Sequence, residues 1–270
     1  MSDEGQKEMN AMTKQPRIIA VSNQKGGVGK TTTTVNLATA LAAAKKKVLV
    51  IDLDPQGNAT VSLGVDRNNA PKNSYQVLMG DEKISASIIW TKIPNLSVIA
   101  SSKDLAGADF ELSHLAKPQF YLKKAFDGEL LNYDYIFIDC PPSVGMLTVN
   151  ALVAANGVIV PVQCEYLALE GVADLMRTIE RVHKNFNPDL EIQGILLTMY
   201  DGRTALSEVV AADVRNYFGK KVYKSIIPRN VRVSEAPSHG KPILLYDFKS
   251  KGAQAYIGLA AEVLKQEVKK

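Results

Sequence analysis

Residues 25–32 read Lys-Gly-Gly-Val-Gly-Lys-Thr-Thr, and this stretch decides how the rest of the chain is interpreted. An apolar run at residues 17–22 precedes it, and an alanine- and leucine-rich stretch at residues 31–44 follows it. A glycine-rich turn between a strand and a helix lets backbone N–H groups point inward and hold phosphate oxygens. The helix N-terminus adds partial positive charge. The stretch therefore predicts a phosphate-binding loop built from Lys25, Gly26, Gly27, Val28, Gly29, Lys30, Thr31 and Thr32.

The polar residues of this loop have separate predicted roles. Lys30 is expected to reach the β- and γ-phosphates of a nucleotide, and the Thr31 hydroxyl is expected to bind Mg²⁺. Thr32 is expected to help hold a phosphate. The usual motif, G-x-x-x-x-G-K-[ST], would place its first glycine at position 24, where this chain has Gln24. Lys25 precedes the glycine pair instead, and a lysine there can point toward the phosphates of a facing subunit.

Apolar runs alternate with helical stretches along much of the chain. Continuous apolar strands separated by helices are typical of a parallel sheet covered on both faces. The pattern predicts an α/β fold with a mostly parallel twisted sheet and helices on both faces, and ligands at the carboxyl ends of the strands. Further strands are predicted at residues 47–52, 135–138, 158–162, 192–198 and 222–227, and further helices at residues 144–155, 167–185, 206–217 and 254–268.

Length and composition indicate one ordinary globular domain. The chain has 270 residues, of which 46% are hydrophobic and 22% charged, which excludes wholesale disorder and collagen-like repeats. Residues 1–16 lack apolar periodicity and are predicted to form a flexible tail, and residues 17–270 a single domain with a less regular middle at 68–118. The sequence has no signal peptide and no run of about 18 apolar residues, so we expect a cytoplasmic protein.

The two cysteines, Cys140 and Cys164, are too few to cross-link a chain of this size, and they indicate a reducing compartment. An iron–sulfur site is one alternative for them, but small apolar roles in the core are the favoured interpretation. The three histidines have no metal-ligand spacing, so a zinc site is not expected.

Four further strings extend the pattern beyond the loop: DLDPQGN at 52–58, YIFIDCPP at 135–142, PVQCEYLALEG at 161–171 and IPRNVRVSEAPSHGKP at 227–242. Together with KGGVGKTT they resemble the ParA/MinD family of ATPases, whose P-loop is a deviant Walker A motif, and in particular its ParA/Soj chromosome-partitioning branch. The resemblance implies a P-loop NTPase-like fold and slow Mg²⁺-dependent hydrolysis of ATP. It also implies that Lys25 contacts ATP in trans across a sandwich homodimer.

Carboxylates stand at the ends of two predicted strands. Asp139 is predicted to hold Mg²⁺ through water, the alternative being a helix-capping role. Asp52 and Asp54 follow the second strand, and the resemblance implies that Asp54 positions or activates the attacking water while Asp52 lies nearer the metal. It also implies that Pro228 and Asn230 contact adenine. Because no obvious arginine finger lies near the loop, we expect slow intrinsic hydrolysis that a partner stimulates.

Positive charge is concentrated late in the chain. Residues 201–251 contain ten Lys and Arg residues and five Asp and Glu residues, whereas the whole chain has a net charge of only +4. Such a patch is typical of sequence-independent, salt-sensitive contact with a phosphate backbone, and an ordinary solvated surface is the alternative. The resemblance implies that Arg203 and Arg232 bind DNA non-specifically. No helix-turn-helix pattern is evident, so base-specific recognition is not expected.

The resemblance as a whole implies a DNA-segregation ATPase. Its ATP-bound homodimer would bind double-stranded DNA on the nucleoid and would be released when a ParB-like partner stimulates hydrolysis. A membrane switch of the same fold would need a membrane-inserting C-terminal helix, yet residues 252–270 have Tyr256 as their single aromatic residue and are expected to pack on the domain. A degenerate binding module is disfavoured because the predicted catalytic residues are intact.

Overall fold

The computed structural model describes residues 15–267. Residues 1–14 of the predicted tail, and Val268 at the predicted end of the last helix, lie outside the described residues. The strands within this range are β1 Arg17–Val21, β2 Val48–Asp52, β3 Ile89–Trp90, β4 Leu96–Ile99, β5 Tyr135–Asp139, β6 Gly157–Gln163 and β7 Glu191–Thr198. The helices are α1 Lys30–Ala43, α2 Asn58–Ser62, α3 Ser74–Met79, α4 Leu105–Ser113, α5 Tyr121–Ala125, α6 Met146–Ala154, α7 Glu170–Asn185, α8 Ala205–Phe218, α9 Val231–Glu235, α10 Ile243–Tyr246 and α11 Lys251–Glu267.

The described strands form one sheet in the order β3-β4-β2-β5-β1-β6-β7. All neighbouring pairs are parallel except β3 with β4. Strand β5 lies between β1 and β2, and its last residue, Asp139, is in register with Val21 on one side and with Asp52 on the other. The carboxyl ends of these three strands therefore meet at one edge, which confirms the predicted α/β fold and positions the site.

Alternate residues of the central strands enter two cores, one on each face of the sheet. In β5, Ile136 and Ile138 belong to the core covered by α4, α6 and α7. Tyr135 and Phe137 belong to the other core, covered by α1 and α11. Because both faces are covered, every residue of β5 is buried, which explains why the strand is continuously apolar in sequence until Asp139.

The last helix, α11, packs on the domain as predicted, and the structure shows that α1 is its partner. Tyr256, Leu259 and Val263 are buried in the same core as Leu37 of α1. The Tyr256 hydroxyl lies 3.4 Å from the Thr33 hydroxyl. The apolar side of α11 is thus used within the domain. No helix in the described part of the chain is long and apolar enough to cross a membrane.

The predicted strand at 222–227 is wrong. Val222 forms one isolated bridge with Ile195 of β7. The Tyr223 and Ile227 N–H groups donate to the β7 carbonyl oxygens of Ile195 and Leu197, at 3.0 and 2.9 Å, but no continuous ladder forms between them. The backbone N–H groups of Lys224 and Ser225 donate to the Glu262 carboxylate of α11, at 2.8 and 2.6 Å, instead of to a neighbouring strand. A long-range side-chain acceptor therefore interrupts what the apolar pattern alone indicates as a strand.

Two other regions differ from the sequence expectation. The middle of the chain is more regular than predicted, because β4 joins the sheet beside β2 with all four residues buried. The helix predicted to start at residue 167 begins at Glu170. Leu167 has a φ of 61°, a left-handed conformation that an α-helix excludes.

Candidate functional site

The loop of residues 25–32 connects β1 to α1, whose first residue is Lys30. Gly27 and Gly29 have φ values of 75° and 89°, in the left-handed region that favours glycine. The Gly29 carbonyl accepts the first helical hydrogen bond, from the Thr33 N–H at 2.9 Å. These two glycines let the backbone curl before the helix starts, which is the geometry expected of an anion-binding loop.

Lys30 lies inside this curl with only 6% of its surface exposed. Its ammonium group donates to the Lys25 carbonyl oxygen at 3.0 Å. Burial lowers the pKa of Lys30, and the nearby Asp139 carboxylate partly opposes that shift. A buried cation at the loop is suited to an anionic ligand, because a phosphate would supply charge compensation in a desolvated place.

The start of the loop is tied to the neighbouring helix α7. Gln24 donates through its side-chain amide to the Gly171 carbonyl oxygen at 3.1 Å. The aliphatic stem of Lys25 also passes Gly171, since a Cβ added there would lie 3.9 Å from the Lys25 Cδ. Gln24, where the usual motif has glycine, therefore anchors the segment that presents Lys25. The sequence did not indicate this contact.

Asp139 is held by two threonines of α1. The Thr31 hydroxyl donates to Oδ2 at 2.7 Å, and the Thr34 hydroxyl donates to Oδ1 at 2.9 Å. Asp139 is fully buried, and burial, together with the neighbouring Asp52, raises its pKa, whereas the two hydroxyl groups act in the opposite direction. Thr34 was missed by the sequence reasoning, although its spacing of three residues from Thr31 puts both on one helix face.

Asp52 and Asp54 form a second carboxylate group at the same edge. Asp52 is fully buried and accepts from the Thr60 N–H and hydroxyl at 2.8 and 2.6 Å, and from the Asp54 N–H at 3.2 Å. Burial raises the pKa of Asp52. Asp54 is 6% exposed, and its Oδ1 accepts from the Gln56 N–H at 2.9 Å. Asp52 thus accepts three hydrogen bonds from within the protein and supports the turn that carries Asp54.

Two polar side chains tie the loop to the neighbouring strands β6 and β7. The Thr198 hydroxyl at the end of β7 donates to the Val28 carbonyl oxygen at 2.8 Å. The Asn23 side-chain amide donates to the carbonyl oxygen of Pro161 in β6 at 2.7 Å, and its Oδ1 accepts from the Lys25 N–H at 3.0 Å. Neither residue was predicted, since the strand order that brings β6 and β7 beside the loop is not visible locally.

The segment at 227–230 lies beside the end of β7. Pro228 forms an isolated bridge with Tyr200, and the Tyr200 N–H donates to the Ile227 carbonyl oxygen at 3.1 Å. The Asn230 side chain accepts from the Val233 N–H at 3.3 Å and caps α9. The structure therefore assigns Asn230 a capping contact and places the segment next to the strand whose Thr198 contacts the loop.

The two predicted DNA contacts, Arg203 and Arg232, are exposed but paired with carboxylates. The Arg203 guanidinium donates to both oxygens of Asp201, at 2.8 and 2.6 Å. Arg232 donates to Glu235 at 2.9 Å and lies 3.8 Å from Asp247. The bridge between Tyr200 and Pro228 pairs the segments that lead into Arg203 and into α9, which carries Arg232. All ten cations of residues 201–251 are exposed.

Both cysteines are buried, as the favoured interpretation predicted. Cys140 is fully buried and Cys164 is 2% exposed. Burial raises the pKa of both thiols, that of Cys164 to about 11. Among residues 15–267, no group of three or more His, Cys, Asp and Glu side chains could hold a metal ion.

Comparison with known proteins agrees with this geometry. A family model described as an AAA domain matches residues 16–192. The chromosome partitioning protein ParA of Caulobacter vibrioides is 55% identical over 253 residues, which cover 93% of this chain and 95% of that protein. The sporulation initiation inhibitor protein Soj of Bacillus subtilis is 53% identical over 247 residues, covering 92% and 98%.

A solved structure also superposes over most of the chain. The cobyrinic acid a,c-diamide synthase of Mycobacterium smegmatis, with bound ADP and magnesium, has a TM-score of 0.81 and 41% sequence identity, covering 93% of this chain and 95% of its own. These likenesses are consistent with the curled loop and with the carboxylates at the adjacent strand ends. The chain therefore belongs to the ParA/Soj chromosome-partitioning branch of the ParA/MinD-type P-loop ATPases.

Proposed function

We propose that this ATPase family member is a DNA-segregation protein that works as a nucleotide-dependent dimer. ATP and Mg²⁺ bind at the loop of residues 25–32, and two ATP-bound chains form a sandwich homodimer. The dimer binds double-stranded DNA without sequence preference on the nucleoid, and a ParB-like partner releases it by stimulating hydrolysis. The observation that carries the proposal is the Thr31–Asp139 pair, a hydroxyl and a carboxylate 2.7 Å apart beside the buried Lys30.

The residues around the loop fit ATP and Mg²⁺. Thr31 and Asp139 would hold the metal, because hydroxyl, carboxylate and water oxygens are the ligands that Mg²⁺ prefers. The curl at Gly27 and Gly29, together with the Lys30 ammonium, would receive the phosphates. When bound, Mg²⁺ supplies compensation for the negative charge of the phosphate oxygens.

The residues of the chain position the reacting groups for hydrolysis and compensate their negative charge. Phosphoryl transfer requires little covalent chemistry from the protein, so an aligned water and compensated charge account for most of the catalysis. Lys30 and Thr32 bind phosphate oxygens, and Asp54 orients the attacking water. Asp52 holds the Asp54 backbone through the 3.2 Å hydrogen bond at its Oδ1. Pro228 and Asn230 are proposed to contact adenine at the end of β7.

Lys25 is the residue proposed to join the two subunits. Lys30 already occupies the interior of its own loop, whereas the Lys25 stem lies over Gly171 at the start of α7. A second lysine placed there is available to the phosphates of a facing chain. Closure of the dimer would pair the basic regions of two chains and raise DNA affinity by avidity, without a new type of contact.

DNA binding is proposed for the region around Arg203 and Arg232. The bridge between Tyr200 and Pro228 supports this, because it pairs a residue three positions before Arg203 with a residue four positions before Arg232. Phosphate contacts from exposed cations are insensitive to base sequence and sensitive to salt. The excess of cations in residues 201–251 would therefore supply affinity and not sequence recognition.

The test combines ATP hydrolysis with and without non-specific double-stranded DNA, and gel filtration with ATP or ADP. We expect slow hydrolysis that requires Mg²⁺, a dimer with ATP, a monomer with ADP, and DNA binding by the dimer. A protein that stays monomeric with either nucleotide and ignores DNA would refute the proposal. The Lys25→Ala variant serves as the internal control, since it should bind ATP through Lys30 but fail to dimerise.

A further inference from the structure

Arg67 contacts the turn that carries Asp54, although it lies outside every motif of the sequence. Its Nη1 donates to the Pro55 carbonyl oxygen at 3.0 Å and to the Gln56 carbonyl oxygen at 2.6 Å. The side chain reaches this turn by passing over Gly57, since a Cβ added to Gly57 would lie 2.6 Å from Nη1. One guanidinium nitrogen thus holds two consecutive peptide groups directly after Asp54.

The opposite ends of the same two peptide groups bond to Asp54. The peptide between Pro55 and Gln56 presents its N–H to the Asp54 carboxylate, at 2.9 Å from Oδ1. The next peptide presents the Gly57 N–H to the Asp54 carbonyl oxygen, also at 2.9 Å. Because a peptide group is planar and rigid, a restraint on its carbonyl also orients its N–H.

We propose that Arg67 is a positioning residue for hydrolysis, which fixes the Asp54 carboxylate through these two peptide groups. The inference rests on the role given to Asp54 in the proposed function. Arg67 would act on the orientation of Asp54 and not on the affinity for ATP, because its side chain donates to the Pro55 and Gln56 carbonyl oxygens and, within residues 15–267, to no residue of the 25–32 loop. Loss of the guanidinium would free the turn and misalign the carboxylate.

The experiment compares Arg67→Gln and Arg67→Lys with wild type in full-length protein. An exposed arginine of α7, changed in Arg181→Gln, is the matched control. Two quantities are measured with Mg-ATP: the single-turnover hydrolysis rate and the equilibrium Kd. A third measurement, amide hydrogen exchange of residues 52–60, uses nucleotide-free protein and reports the turn without catalysis.

We expect Arg67→Gln to slow hydrolysis by about fivefold to tenfold, as loss of charge-assisted hydrogen bonds would do, with the Kd changed less than about twofold. Exchange at residues 52–60 should accelerate. Arg67→Lys should recover part of both effects, since an ammonium can still donate to one carbonyl, and Arg181→Gln should match wild type.

Three results would overturn the inference: an unchanged hydrolysis rate in Arg67→Gln, unchanged exchange at residues 52–60, or a loss of ATP affinity as large as the loss of rate. If wild type hydrolyses ATP and dimerises while one of these results is found, only the role of Arg67 is wrong. If wild type itself neither hydrolyses ATP nor dimerises, the proposed function and the role of Arg67 fail together.

Discussion

Thr31 and Asp139 lie 108 residues apart in the sequence, and the Thr31 hydroxyl donates a hydrogen bond of 2.7 Å to the Asp139 carboxylate. The bond joins the first turn of α1 to the end of β5. It exists because β5 is the direct neighbour of β1, from which the loop leads into α1. The two oxygen groups proposed to bind Mg²⁺ are therefore already adjacent in the folded chain.

Thr34 is expected to support this pair from one turn further along α1. Thr34→Val keeps the shape of the side chain but removes the hydroxyl that donates to Asp139 Oδ1 at 2.9 Å. We expect a loss of about 1–3 kcal/mol in the free energy of unfolding, typical of a buried polar group that loses its hydrogen-bond partner. Mg²⁺-dependent hydrolysis should also fall, because the carboxylate loses one of its two orienting donors.

Thr39→Val is the matched control for that prediction. Thr39 is buried in the same helix, but its hydroxyl donates only to the Val35 carbonyl oxygen, at 2.7 Å. The Thr39→Val substitution should lower the free energy of unfolding by about 1 kcal/mol and leave the rate of ATP hydrolysis unchanged. Denaturant unfolding and ATPase assays measure both quantities. Equal activity losses in the two variants would contradict a specific role for Thr34.

Asp54→Ala is expected to separate ATP binding from hydrolysis. The methyl group cannot orient water, whereas Lys30 and Thr31 are untouched, so ATP should still bind and the ATP-bound dimer should accumulate. Gel filtration after incubation with ATP and release of inorganic phosphate give the two readouts. The exposed Asp189→Ala is the control and should behave as wild type. Normal turnover in Asp54→Ala would remove this residue from the mechanism.

Removal of Arg203 and Arg232 is expected to weaken DNA binding uniformly across sequences. Each lost phosphate contact should reduce the slope of log affinity against log salt concentration by about one unit. DNA binding is measured for Arg203→Ala, Arg232→Ala and the double variant at several salt concentrations. Arg181→Ala, on α7 and outside residues 201–251, is the control. If the double variant keeps the affinity and the salt slope of wild type, these arginines do not contact DNA.

Asp201→Asn is expected to strengthen DNA binding. The Asp201 carboxylate occupies the Arg203 guanidinium with two hydrogen bonds, and Arg203 lowers the pKa of that carboxyl below its usual range. A phosphate must compete with this charge. Asparagine keeps an oxygen for the Arg203 N–H, which donates to Asp201 Oδ1 at 3.1 Å, so the turn is retained.

The expected gain in DNA affinity for Asp201→Asn is small, about twofold to fivefold, because exposed ion pairs are weak. It should disappear in the Arg203→Ala background, where no guanidinium is left to release. A gain that persists in that background would mean that the change in net charge, and not the release of Arg203, raises the affinity.

Local sequence determined the loop and the class of fold. The glycines at 27 and 29 adopt the left-handed conformations that their lack of a Cβ allows, and the apolar strands follow from burial on both faces. The glycine turn and the apolar strand pattern both depend on residues that are close in sequence, because backbone preferences and side-chain periodicity act over a few positions. The failure at 222–227 shows their limit, since Glu262 is distant in sequence and accepts hydrogen bonds from the Lys224 and Ser225 N–H groups in the middle of that segment.

The partners of the charged groups were decided only by the tertiary structure. Asp139 meets Asp52 because β5 inserts between β1 and β2, an order that no local pattern encodes. Arg67 reaches the Asp54 turn because the chain folds back beside Gly57. The sequence could identify which residues carry the chemistry, whereas the supports that orient them depend on strand order and chain reversal. These are set by the packing of the whole domain.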